Sequence, residues 1–78
     1  MSNPFPSLRA QAMLAVRQGK LGYQIERQKG SHRRLVAAGR PSLTFAFHDS
    51  VSLSPGVVRD ILVKQVGLSQ DEALRVVR

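Results

Sequence analysis

The chain has 78 residues, with 12 Lys and Arg against 5 Asp and Glu, a net charge of +7 and no cysteine. That length allows one modest core, because a chain of this size buries only about two-thirds of the surface it exposes when unfolded. The absence of cysteine excludes a disulfide framework and a cysteine-ligated zinc site, and the 2 histidines and 5 carboxylates show no metal-ligand spacing.

The first helix is predicted to open near "PFPS", with Ser7 as N-cap, and to run through Leu8, Ala12, Met13, Ala15 and Val16 to a stop at Gly19. Asn3 with Pro4 is an alternative start. The segments "GYQIERQ" (22 to 28), "HRRLVA" (32 to 37) and "LTFAFH" (43 to 48) alternate with period two, as strands do, and "KGS" and "AGRPS" separate them. Short connections between three successive strands imply an antiparallel meander. The second helix opens with Ser54 as N-cap and Pro55 at the first helical position. Val58, Ile61, Leu62 and Gln65 or Val66 follow at helical spacing, and Gly67 with Leu68 reads as a left-handed C-terminal cap. Ser69 and Glu72 form a capping box that opens a last helix bearing Ala73, Leu74, Val76 and Val77. The order α-β-β-β-α-α defines an α+β class, read as one domain over residues 1 to 78.

Turn length sets the expected register. A five-residue loop 38 to 42 pairs Ala37 with Leu43, Leu35 with Phe45, Arg33 with Phe47 and His32 with His48. A three-residue "KGS" loop pairs Ile25 with Leu35 and Tyr23 with Ala37; a two-residue loop would put Ile25 opposite Arg34 and mix core with surface. One face then holds Tyr23, Ile25, Leu35, Ala37, Leu43, Phe45 and Phe47. The other presents Gln24, Glu26, Gln28, His32, Arg34, Thr44 and His48.

Charge is unevenly placed. Between Arg17 and Arg40 lie Arg17, Lys20, Arg27, Lys29, Arg33, Arg34 and Arg40 against one acid, Glu26, whereas the chain from Pro41 onward is balanced. Concentrated positive charge rich in arginine suits phosphate, because the planar guanidinium grips it with two hydrogen bonds, so a nucleic acid is the expected ligand. No apolar run approaches the ~20 residues of a membrane span. The opening "MSNPFPSLRA" lacks the basic start and apolar core of a signal peptide, and a cytoplasmic protein is expected.

"GYQIERQKGSHRRL", followed after one more strand by "FAFHDSVSLSPGVVRDILVKQVGLS", resembles the HicA (YcfA-like) toxins of bacterial type II toxin–antitoxin systems. The resemblance spans roughly Met13 to Glu72. It rests on the triplet Gly30, Ser31 and His32 after a basic strand, on a strand ending at His48, and on the helix "SPGVVRDILVKQVGLS". The chain departs from the family pattern at Ala46, where proline is frequent, in the longer segment "RQGKLGY", and in the added helix over residues 69 to 78. The resemblance implies a fold like that of double-stranded-RNA-binding domains. It further implies a metal-independent mRNA endoribonuclease without organic cofactor, silenced by a cognate antitoxin of HicB type that covers the His32 site.

Such chemistry needs a proton acceptor, a proton donor and positive charge near the phosphate, the substrate's own 2′-hydroxyl being the nucleophile. Histidine suits the proton transfers, since its ordinary pKa of ~6.5 populates both forms near neutrality. His32 is the leading catalytic candidate. His48 is either a second proton-transfer group or a residue holding the strand end. Arg27, Lys29, Arg33 and Arg34 supply charge for RNA binding, with Arg34 preferred over Arg33 because register sends the two to opposite faces. Gly30 allows close backbone approach to a ligand, and the Ser31 hydroxyl can donate to a phosphate oxygen. Two other readings stay open on these residues: a module that holds double-stranded RNA without cutting it, and a protein-docking domain.

Overall fold

The computed structural model describes residues 4–77; Asn3, the alternative helix start, and Arg78, the end of the last predicted helix, lie outside them. In chain order the elements are β1 (Leu8–Arg9), α1 (Ala10–Lys20), β2 (Gln24–Lys29), β3 (His32–Val36), β4 (Leu43–Phe45), β5 (Ser52–Leu53), α2 (Pro55–Asp60) running into a π-helical turn (Ile61–Gln65), and α3 (Gln70–Val77). The fold is α+β, with a three-stranded antiparallel sheet ordered β2-β3-β4 as the strand pattern indicated. A second, two-stranded ribbon, β1 with β5, pairs Leu8 with Leu53 and Arg9 with Ser52 and was not foreseen.

That ribbon moves the start of α1. Ser7 is not its N-cap; Arg9 occupies that place and makes no side-chain cap bond. The first helical N–H groups instead find carbonyls from a distant loop, Ala10 N–H donating to Val51 O at 2.8 Å and Gln11 N–H to Asp49 O at 3.2 Å. A helix end needs such acceptors from somewhere, and here tertiary structure supplies what a serine would have supplied locally. At the other end the helix passes Gly19 to Lys20. Its buried face is Ala10, Met13 and Arg17, while Ala12 and Ala15 are exposed.

The later helices follow their local signals. Ser54 Oγ accepts from Val57 N–H at 3.3 Å, and Pro55 sits in the first turn. Val58, Ile61, Leu62 and Val66 are buried, which settles the last apolar position on Val66 and leaves Gln65 exposed. Gly67 takes φ 91°, and Leu68 N–H reaches back to Leu62 O at 3.0 Å, closing the helix as the cap residues implied. Ser69 and Glu72 exchange hydrogen bonds, each 3.2 Å, at the start of α3.

The β3–β4 register differs from the expected one by two residues: Leu35 faces Leu43, Arg34 faces Thr44 and Arg33 faces Phe45. β3 stops at Val36, and the connection is held by Tyr23 Oη donating to Pro41 O at 2.8 Å, Arg40 Nε donating to Leu21 O at 3.2 Å and a turn from Arg40 N–H to Ala37 O. Because side chains alternate with period two, a two-residue slip leaves the paired residues of β3 and β4 on their expected faces. Leu35, Leu43, Phe45 and Tyr23 are buried with the helix residues in one core, Ala37 and Phe47 pack against it, and Ile25 is the exception at 38% exposed. Full burial of each such apolar side chain is worth about 1.5–3 kcal/mol.

Candidate functional site

The hairpin of β2 and β3 resolves the turn in a way that neither a three-residue loop nor a simple slip describes. Ile25 does face Leu35, and Gln24 faces Val36. Beyond Ile25 the ladder jumps by one residue at a bulge, after which Arg27 faces Arg34, Gln28 faces Arg33 and Lys29 faces His32. The loop therefore has two residues, Gly30 and Ser31, with Gly30 at φ 61° in the first central position, where a type II′ turn favours glycine. A Gly-Ser pair between alternating runs is itself a two-residue hairpin signal. Ile25 stays opposite Leu35 despite the two-residue loop because one extra residue, Glu26, lets both ends of the hairpin keep favourable partners.

The bulge decides which charges share a face with His32. Without it, Arg27 and Lys29 would lie on the helix side, and Glu26 and Gln28 opposite Arg34 and His32. With it, the solvent face carries Arg27, Lys29, His32 and Arg34 together, all exposed, followed by Gln24, Val36 and Thr44. Directly opposed residues hold their Cβ atoms roughly 4.5–5.5 Å apart, so Lys29 stands beside His32 and Arg27 beside Arg34. Glu26, in the bulge, pairs with Arg34, its Oε1 3.4 Å from Nε. At the far end of this face Gly22, Gln24, Val36, Ala37 and Ala38 line a shallow groove.

Several other bases make contacts away from this face. Arg33 turns to the helix side, where only 12% of its side chain is exposed and Nη2 donates to Asp49 Oδ1 at 3.0 Å. Arg40 is tied to Leu21. Arg17 is buried, 1% exposed, with its guanidinium 4.4 Å from the Phe45 ring centroid. Net charge thus conceals that Arg17, Arg33 and Arg40 make contacts away from the hairpin face, while Arg27, Lys29 and Arg34 lie on it.

His48 does not face His32. β4 ends at Phe45, and the observed register continued by one pair would set Ala46, not His48, opposite His32. His48 instead begins a turn closed by Val51 N–H donating to its carbonyl at 3.0 Å. Asp49 ties that turn to Arg33, and the Asp49 and Val51 carbonyls cap α1, so the segment is anchored on the helix side of the sheet. The two-residue change of register removes the cross-strand histidine pair, because the longer loop before β4 brings each of its residues into the ladder earlier. Among the described residues no group of three or more His, Asp or Glu is arranged to hold a metal ion.

A family model described as the HicA toxin of bacterial toxin–antitoxin matches residues 19–68, well over half of the chain. The chain belongs to the HicA toxin family. The matched stretch contains the whole β2–β3 hairpin, His48 and α2, and stops before α3. Searches of curated proteins and of solved structures return no match. Membership of the HicA family makes the chain the toxin of a toxin–antitoxin system and implies a cognate antitoxin. No helix among the described residues is long and apolar enough to cross a membrane.

Proposed function

We propose that this HicA toxin is a metal-independent endoribonuclease of mRNA, acting in the cytoplasm, with His32 transferring the essential proton. The observation that carries this reading is the exposed His32 beside Lys29 at the end of a glycine-turned hairpin, on one face with Arg27 and Arg34. The proton of the RNA 2′-hydroxyl passes to the imidazole, the 2′-oxygen attacks the adjacent phosphorus as the bond to the 5′-oxygen of the next nucleotide breaks, and that oxygen leaves with a proton returned from the imidazolium, directly or through water. A 2′,3′-cyclic phosphate and a free 5′-hydroxyl result. Lys29 offsets the negative charge that builds on the phosphoryl oxygens, Arg27 and Arg34 hold the RNA backbone on the same face, and Gly30 and Ser31 let the backbone and a hydroxyl approach the scissile phosphate. Arg33 is held by Asp49 and supports the fold around this face. A HicB-type antitoxin would silence the toxin by covering the hairpin face.

The test is incubation of the purified toxin with single-stranded RNA and with DNA of the same sequence in excess chelator. RNA cleavage with DNA left intact is expected, since DNA lacks the attacking hydroxyl. Comparable cutting of DNA, or cleavage abolished by the chelator, contradicts the mechanism. RNA bound but returned whole would assign the chain to the double-stranded-RNA-binding modules whose fold the family shares.

A further inference from the structure

The two cross-strand pairs on the His32 face are chemically different. Lys29 and His32 close the hairpin; Arg27 and Arg34 lie two residues further along the strands, roughly 7 Å at the ~3.4 Å rise of an antiparallel strand. Like charges directly opposite one another destabilise a ladder. Glu26 lies 3.4 Å from Arg34, but Arg27 forms no ion pair among the described residues. A hairpin with a regular ladder would have faced Arg34 with Glu26 and avoided the repulsion. The bulge instead brings a second guanidinium to that position, on a strand whose six residues are all exposed. Neither burial nor pairing among the described residues accounts for it.

We infer that Arg27 and Arg34 together form a subsite for a second RNA phosphodiester, the neighbour of the one cleaved beside His32, assembled by the bulge at Glu26. The inference rests on the ribonuclease reading and deepens it. Two planar donors flanking one phosphate give bidentate contacts from both strands, and the anion removes the repulsion between them. RNA then runs along the hairpin axis, one phosphate at the Arg27–Arg34 pair and the scissile one at the tip.

The probe is a short single-stranded RNA with 2′-O-methyl groups throughout, which lacks the nucleophile and survives the assay. Its dissociation constant is measured against salt for the wild-type toxin, for Arg27→Gln/Arg34→Gln and for Arg27→Lys/Arg34→Lys, with circular dichroism as the check on folding. If both arginines serve one phosphate, the glutamine variant loses about 0.7 from the log–log salt slope, the value of one phosphate on a single strand, and the lysine variant keeps it. An unchanged slope in a folded glutamine variant overturns the inference while leaving the nuclease reading intact. A loss of about 1.4 also overturns it, because each arginine would then serve its own phosphate. Wild-type binding without salt dependence overturns both, and is recognisable because it precedes any substitution.

Discussion

Arg17 is the residue at which sequence and structure part most widely. By composition it counts among the bases of the most basic third of the chain, yet it is buried against Phe45 and its Nε, Nη1 and Nη2 have no hydrogen-bond partner among the described residues. The signal was present as spacing: Ala10, Met13 and Arg17 fall on one helical face. Desolvation by burial holds the guanidinium well below the ordinary arginine range, at about 10, with Tyr23 pulling it back up. That lowering corresponds to about 3 kcal/mol against the charged form, while a desolvated cation–π contact returns about 2 kcal/mol. A cation with a depressed folded pKa binds fewer protons folded than unfolded between that value and its ordinary one, so its cost persists below pH 10 and is relieved as pH rises toward the ordinary arginine range. Arg17→Met keeps the apolar contact and removes the charge, and should stabilise the protein by about 1 kcal/mol at neutral pH, read as a higher midpoint in thermal melts. A large loss of stability would show that the cation–π contact outweighs desolvation.

Elements whose ends are fixed by neighbouring residues were legible, and those fixed from afar were not. The Ser54 cap, the Gly67 closure and the Ser69–Glu72 box depend on residues no more than six apart in the chain. The start of α1 depends on carbonyls some forty residues away, the β3–β4 register on the anchoring of Pro41 and Arg40, and the β2 bulge on reconciling a two-residue turn with the Ile25–Leu35 pair. For α2, Ser54→Ala should cost about 1 kcal/mol in denaturant melts, the usual value of an N-cap side chain; a cost near zero would mean that Pro55 and core packing suffice. For α3, the side-chain and backbone hydrogen bonds with Ser69 hold the Glu72 carboxyl below its ordinary 4.5. A depressed carboxylate contributes stability above its unfolded pKa and loses it as pH falls through the folded one. The stability difference between wild type and Glu72→Gln should therefore be present at neutral pH and vanish below the carboxylate range; a pH-independent difference would contradict the box.

At the scale of the molecule, the family triplet and the alternation of strands identified both the fold class and the hairpin that carries the candidate site. The grouping of charges was not legible, because the face on which Arg27 and Lys29 lie depends on a single extra residue. The two-residue change of the β3–β4 register bears on the second histidine. With His48 on a turn anchored to Arg33 and α1, His48→Ala should leave both limbs of the pH–rate profile in place and lower stability slightly. A flattened limb would return it to proton transfer. The central claim is the role of His32, and a pH–rate series for RNA cleavage in excess chelator, run on wild type and His32→Ala, tests it most directly. A surface histidine adds little to the core, so the variant should fold by circular dichroism, retain salt-dependent RNA binding and lose cleavage at every pH. Near-normal cleavage by folded His32→Ala protein would contradict it.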